Sequence, residues 1–141
     1  MRPKIFLADS AEVREGLLFV LGGGWKEVGP PSQPIALAGL IEVDWEETNR
    51  QYAVHFLIED EDGAPMMITT PTGDQAARIE SIFEVGRPAG SARGDTFYVP
   101  LAIGVGPLPW VPGRRYVIRL LIDGNEVDRL KFTVRRQMPA R

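Results

Sequence analysis

The 141-residue chain has no cysteine and a single histidine, His55. The first absence removes disulfides, thiolate zinc sites, iron–sulfur clusters and cysteine nucleophiles together. The second removes any site that needs two imidazoles from one chain. No apolar run approaches the ~20 residues of a spanning helix. Near the N-terminus only Ile5 to Ala8 is apolar before Asp9 interrupts, short of the ~7–15 residues of a secretory core. The sequence therefore predicts a cytoplasmic protein with no membrane partner. Gly22-Gly23-Gly24-Trp25 is followed by no GK[ST] and no predicted helix, so no cofactor is predicted; glycines that end a strand, with Trp25 anchoring the loop, explain it. Lys and Arg number 16 against 19 Asp and Glu, a net charge of −3, which makes nucleic acid an improbable partner.

What is abundant is glycine, proline and alternation. The 15 Gly and 12 Pro punctuate runs in which apolar residues recur at every second position. Ile35, Leu37, Gly39, Ile41 and Val43 form one such set; Tyr52, Val54, Phe56 and Ile58 form another. Phe97 to Val105, Tyr116 to Ile122 and Leu130 to Val134 repeat the pattern. A period of two with β-branched and aromatic residues reads as half-buried strands. Lys4–Ala8 and Leu17–Leu21 add two more around a turn near Glu15-Gly16. Trp45 to Asn49 suits one helical turn, and Asp74 to Ile79 competes between helix and strand, with a strand read from Arg78. About eight strands without crossover helices predict an all-β, single-domain antiparallel sandwich of immunoglobulin-like or jelly-roll type over residues 1–141.

The last hairpin can be given a register. Its core-facing residues are even-numbered on both strands, so opposed positions must sum to an even number. A three-residue loop, Asp123-Gly124-Asn125, meets that condition and pairs Ile118 with Leu130, Tyr116 with Phe132 and Arg119 with Arg129. Arg115, Arg119, Arg129, Lys131 and Arg135 then share the outer face. Opposed arginines repel unless an anion or carboxylate lies between them. Either this face binds an anion or acidic partner, or its cations pair with Glu42, Asp44 or Glu59 of a neighbouring strand.

The acidic stretch from Glu42 to Asp62 offers other chemistry. Glu59-Asp60-Glu61-Asp62-Gly63 lacks the alternating ligand spacing of an EF-hand loop and reads as a charged hairpin tip, not a metal site. His55 and the serines show no nucleophile elbow, so no catalytic residue is assigned. Trp45, Glu46 and Glu47, with Trp110, could form a small-molecule or carbohydrate site, conceivably that of a hydrolase; Trp110 could equally plug one end of the sandwich. Val117, Leu121 and Leu57 fall on outer faces, which suggests that something covers them. The leading expectation is a non-catalytic module that self-associates or binds a protein through a sheet face or edge.

Several segments also carry a resemblance. Leu7 to Val13, Gly16 to Trp25, Glu42 to Arg50, Phe83 to Pro88, Val99 to Ile103 and Leu121 to Gly124 resemble an uncharacterised bacterial family of small all-β proteins, a domain of unknown function. That resemblance implies no catalytic residues. The closing run from Pro112-Gly113 to Val134 is similar to the last hairpin of immunoglobulin-like domains. Divided at Pro112-Gly113, the chain carries 8 basic and 16 acidic residues before and 8 basic and 3 acidic after, −8 against +5. Such a dipolar chain can neutralise itself internally or between copies.

Overall fold

A computed structural model describes residues 1–29 and 34–136; Pro30-Pro31, whose prolines predict a turn after Gly29, lie outside them. The strands are β1 (Arg2–Arg14), β2 (Leu17–Gly23), β3 (Glu27–Val28), β4 (Ile35–Asp44), β5 (Arg50–Asp60), β6 (Met67–Thr70), β7 (Gly73–Ala76), β8 (Arg78–Val85), β9 (Thr96–Val105), β10 (Arg115–Ile122) and β11 (Asn125–Val134). Sheet A has the order β2-β1-β4-β9, sheet B the order β3-β11-β10-β5-β8, and β6-β7 stand apart. The fold is all-β, with eleven strands among the described residues instead of about eight. Its pairings are antiparallel except β3 with β11, which is parallel.

The three extra strands carry no apolar alternation. β3 has two residues. The β6-β7 hairpin is exposed along both strands apart from Ile68 and Thr70. It is held by local polar bonds such as the Thr70 hydroxyl donating to the Gly73 carbonyl at 2.7 Å. Residues 74–82 are strand on both sides of Ala77, because pairing of β8 with β5 outweighs the weak helix preference of Asp74 to Ile79. Trp45–Glu47 form the single turn expected there, a 3-10 turn.

The inward residues of both sheets meet in one hydrophobic cluster, which includes Leu37 and Ile41 of β4, Phe56 of β5, Ile118 and Leu120 of β10 and Phe132 of β11. Each such side chain, fully buried, contributes about 1.5–3 kcal/mol. Gly39 interrupts the inward set of β4 for a steric reason. Its φ is +157°, and a Cβ there would fall 2.0 Å from the Lys4 carbonyl oxygen and 2.9 Å from Ile5 Cα. Backbone cannot yield as a side chain can, so Gly39→Ala is expected to destabilise by about 1–3 kcal/mol. Urea unfolding would register this as a lower midpoint at unchanged slope.

Two further features close the ends. Residues 24–28 strap sheet A to sheet B: the Gly24 N–H donates to Leu7 at 2.8 Å, and the Lys26 carbonyl accepts from Thr133 at 2.9 Å. Trp110 is 8 % exposed and lies edge-on to Tyr116 and Phe132, with centroids at 5.0 and 5.1 Å. It plugs the end of the core.

The last hairpin pairs Ile118 with Leu130, Tyr116 with Phe132 and Arg119 with Arg129, as the parity rule requires. The loop differs from expectation. Ile122 pairs with Asn125, leaving the two-residue turn Asp123-Gly124 with φ of +50° and +82°, the signature of a type I′ turn. The register shifts between Leu120 and Leu121. An extra residue at Val127 therefore supplies the change of parity that a longer loop would have provided.

Candidate functional site

Sheet B's outer face carries the predicted basic group, and its cations are mostly neutralised. Arg119 donates to Glu126 at 2.5 Å and to Glu59 at 3.1 Å, and Arg129 donates to the other oxygen of Glu126 at 3.1 Å. A single carboxylate thus separates the two opposed arginines. Glu126 escaped the sequence reading because its even number places it on the core face; the bulge at Val127 turns it outward. Arg135 pairs with Glu27 at 2.6 Å. Arg115 and Lys131 have no ion partner among the described residues. Glu42 and Asp44 face Arg2 instead of the C-terminal arginines, at 2.6 and 2.8 Å, because β1 lies beside β4 in the register Arg2 to Glu42.

These pairs carry a pH signature. Hydrogen bonds from Arg119, then Arg129, hold the Glu126 carboxyl below its ordinary range. Arg2, then Tyr98, does the same for Glu42, and Arg2 for Asp44. Depressed carboxyl values make the associated stability fully present above the unfolded values, about 3.9–4.3. It is lost as pH falls through the lower folded values. Melting temperature is expected to hold between pH 7 and pH 5.5 and to decline below about pH 4. The decline should be modest, because exposed pairs are weak, and Arg119→Gln should reduce the Glu126 part of it, leaving the share that Arg129 supplies.

The acidic and aromatic candidates do not assemble into one site. Asp60 uses one carboxylate oxygen to accept from the N–H groups of Asp62 and Ala64, at 2.9 and 3.0 Å, which makes 60–64 a self-capped turn. Glu47 accepts from the Asp44 N–H at 2.9 Å, a local structural bond, while Glu46 is exposed. The Trp45 ring is covered by the Arg87 guanidinium at 3.6 Å from its centroid, with Arg93 at 5.3 Å. Arg87 is itself fixed by the Thr48 hydroxyl and the Trp45 carbonyl, at 2.8 and 3.1 Å. Trp110 is in the core, so its face offers no exposed platform.

The prominent surface feature lies elsewhere. β1 is long: residues 2–8 pair with β4 and residues 8–14 pair with β2. Its second half and β2 therefore form an arm that approaches the Gly104–Val105 end of β9. On that arm Leu17, Phe19 and Leu21 are 62 %, 48 % and 72 % exposed. Val117, Leu121 and Leu57, expected to need cover, are half-buried. β2 pairs with β1 on one side and with no strand on the other among the described residues.

Each of the other edges of sheets A and B is protected. β9 carries Pro100 in its middle, β3 is two residues long, and β8 carries Arg78, Glu80 and Glu84. Prolines, charges and short length are the devices that stop edge strands from pairing with another chain. β2 reads Leu-Leu-Phe-Val-Leu-Gly-Gly and has none of them. The signal was present in the sequence as an uncharged strand, but only the sheet order shows that it is an edge.

Among the described residues no helix is long and apolar enough to cross a membrane. No curated protein sequence matches the chain significantly. One similar solved structure is the Pseudomonas fluorescens alkylpurine DNA glycosylase AlkC bound to DNA containing an abasic site analog. It shares 16% identity at a TM-score of 0.41 over 78% of this chain and 28% of that one, a likeness too low to carry an argument. The sequence comparison is decisive at the family level: the chain belongs to the family of unknown function DUF6941, whose model matches residues 4–135.

Proposed function

We propose that this chain is a non-catalytic assembly module that pairs with a second copy of itself, antiparallel, along β2. The observation that carries the reading is an exposed edge strand without charge or proline, beside three edges that are protected. The strand's own sequence favours a second copy as the occupant. Antiparallel pairing about a two-fold axis at Phe19 sets Leu17 against Leu21, Leu18 against Val20 and Phe19 against its twin. Every apolar side chain then meets an apolar one on the same face, as a self-complementary interface requires. Glu12 and Arg14 on the same arm pair with each other and bring no unbalanced charge to the contact.

The arm exposes on the order of 400 Å² of apolar surface, so two copies would bury about 800 Å² in total, below the ~1,200 Å² of stable specific interfaces. Association is therefore expected to be weak, with a Kd of about micromolar or above. Two sheets sharing one core support a sandwich of immunoglobulin-like or jelly-roll type, a rigid body from which such an arm can project. A cysteine-free chain suits the reducing cytoplasm, and we place it there. Sedimentation velocity between nanomolar and about 100 micromolar protein tests the proposal. A monomer–dimer transition is expected; a single monomer boundary at all concentrations would contradict it.

A further inference from the structure

We propose that the seam between β1 and β11, where the 24–28 strap crosses, binds a small amphiphilic anion: a carboxylate on an apolar or aromatic body. A cleft of about 340 Å³ opens there, within the size range of small-molecule sites. Its walls include Phe6 and Leu130, and its basic rim is Lys26, Arg129 and Lys131. Three cations from two separate elements thus line one apolar opening, the composition that selects an anionic head on an apolar body rather than a free inorganic ion.

Two of the three charges there are not spent internally. Arg129 shares Glu126 with Arg119. Lys26 and Lys131 have no ion partner among the described residues. Glu27, next to Lys26 in the chain, is committed to Arg135, and Asp128, next to Arg129, accepts from the Arg129 N–H at 2.8 Å.

Trp25 is the second, independent observation. It lines the cleft, and its indole N–H is buried without an acceptor. Its half-buried ring gives the apolar body of the ligand an aromatic wall. The indole is held edge-on to Phe132, with centroids 6.0 Å apart, so its position is fixed in advance by the core. The predicted anionic reading of the basic face thus narrows to Arg129 and Lys131 at this seam, with Lys26 and Trp25 added. Arg119 is excluded because two carboxylates already occupy it.

The test uses 1-naphthoate as probe, with uncharged 1-naphthalenemethanol, acetate and inorganic phosphate as comparators, followed by calorimetry and tryptophan fluorescence. Binding is expected for 1-naphthoate, with an affinity at least tenfold above each comparator. The K26Q/K131Q double variant should weaken it by about tenfold or more, as loss of charged hydrogen-bond partners does. Trp25→Phe should keep the fold and weaken binding while removing the fluorescence response. Equal affinity for the alcohol, equal affinity for phosphate, or unchanged binding in K26Q/K131Q would overturn the proposal. A variant that blocks β2 pairing should bind the probe as the native chain does, which separates this site from the assembly reading.

Discussion

Phe19→Lys is expected to leave the fold intact and to abolish self-association. Phe19 is about half exposed on an edge strand, so the substitution removes little core packing and the melting temperature at low concentration should move by only a few degrees. In the proposed dimer, however, Phe19 lies on the two-fold axis, and lysine there sets two ammonium groups directly opposite each other. Like charges at directly opposed positions destabilise a strand pair, and a charge on an edge is the device by which other proteins keep edges unpaired. A dimer of micromolar affinity has about 8 kcal/mol to lose. Loss of the Phe19 contact and repulsion across the axis together should weaken it by a factor of a hundred or more. Phe19→Glu should do the same alone. An equimolar mixture of the lysine and glutamate variants should dimerise again, since the opposed charges then attract. Light scattering on the two variants and their mixture reads all three outcomes. Recovery in the mixture would be hard to explain by damage to the fold.

Trp110→Ala is expected to cause a large loss of stability, about 3–5 kcal/mol. The ring fills the end of the core against Tyr116 and Phe132, and its removal opens a cavity next to the Tyr116 hydroxyl, which accepts from the Val111 N–H at 2.9 Å. For a chain of this size the loss corresponds to a drop of roughly 10–20 °C in melting temperature. Trp110→Phe should be far milder. It keeps an aromatic ring in the slot and deletes an indole N–H that is buried without an acceptor, so the lost volume is partly offset by the removal of an unsatisfied donor. If Trp110→Ala proved as stable as the native chain, the plug assignment would fail.

How far the sequence reached can be judged from particular residues. The long strands were legible because each has one face on the core, and a period of two follows directly from burial on one side. The register of β10 with β11 was legible for the same reason, since Ile118 and Leu130 must share the buried face. The bulge at Val127 was not. A two-residue type I′ turn at Asp123-Gly124 and a three-residue loop both satisfy the even sum, once a bulge is allowed. That ambiguity concealed Glu126, whose outward turn neutralises the Arg119–Arg129 pair. β6 and β7 were illegible because a hairpin exposed on both faces leaves no apolar period.

The site was less legible than the fold. Arg115, Arg119, Arg129 and Lys131 were rightly placed on one outer face, but which of them is spent on carboxylates depends on neighbours that only sheet order supplies. Glu42 and Asp44 illustrate this: β1, not β10, runs beside β4, so Arg2 takes them. Trp45 and Trp110 looked alike as candidate platforms, yet one is capped by Arg87 and the other is core. The β2 edge was missed because an uncharged strand is ordinary inside a sheet and unusual only at its margin.

The absence of cysteine, which excluded so much chemistry, makes the central claim directly testable. Phe19→Cys would be the only cysteine in the chain. In an antiparallel dimer with Phe19 on the axis, the two Cβ atoms stand about 4.5–5.5 Å apart, close enough for mild oxidation to join them after small adjustment. A disulfide-linked dimer is expected for Phe19→Cys. One is also expected for a mixture of Leu17→Cys and Leu21→Cys chains, with little cross-linking for either of those alone. Absence of cross-linking at position 19, or equal cross-linking by all three variants alone, would contradict it.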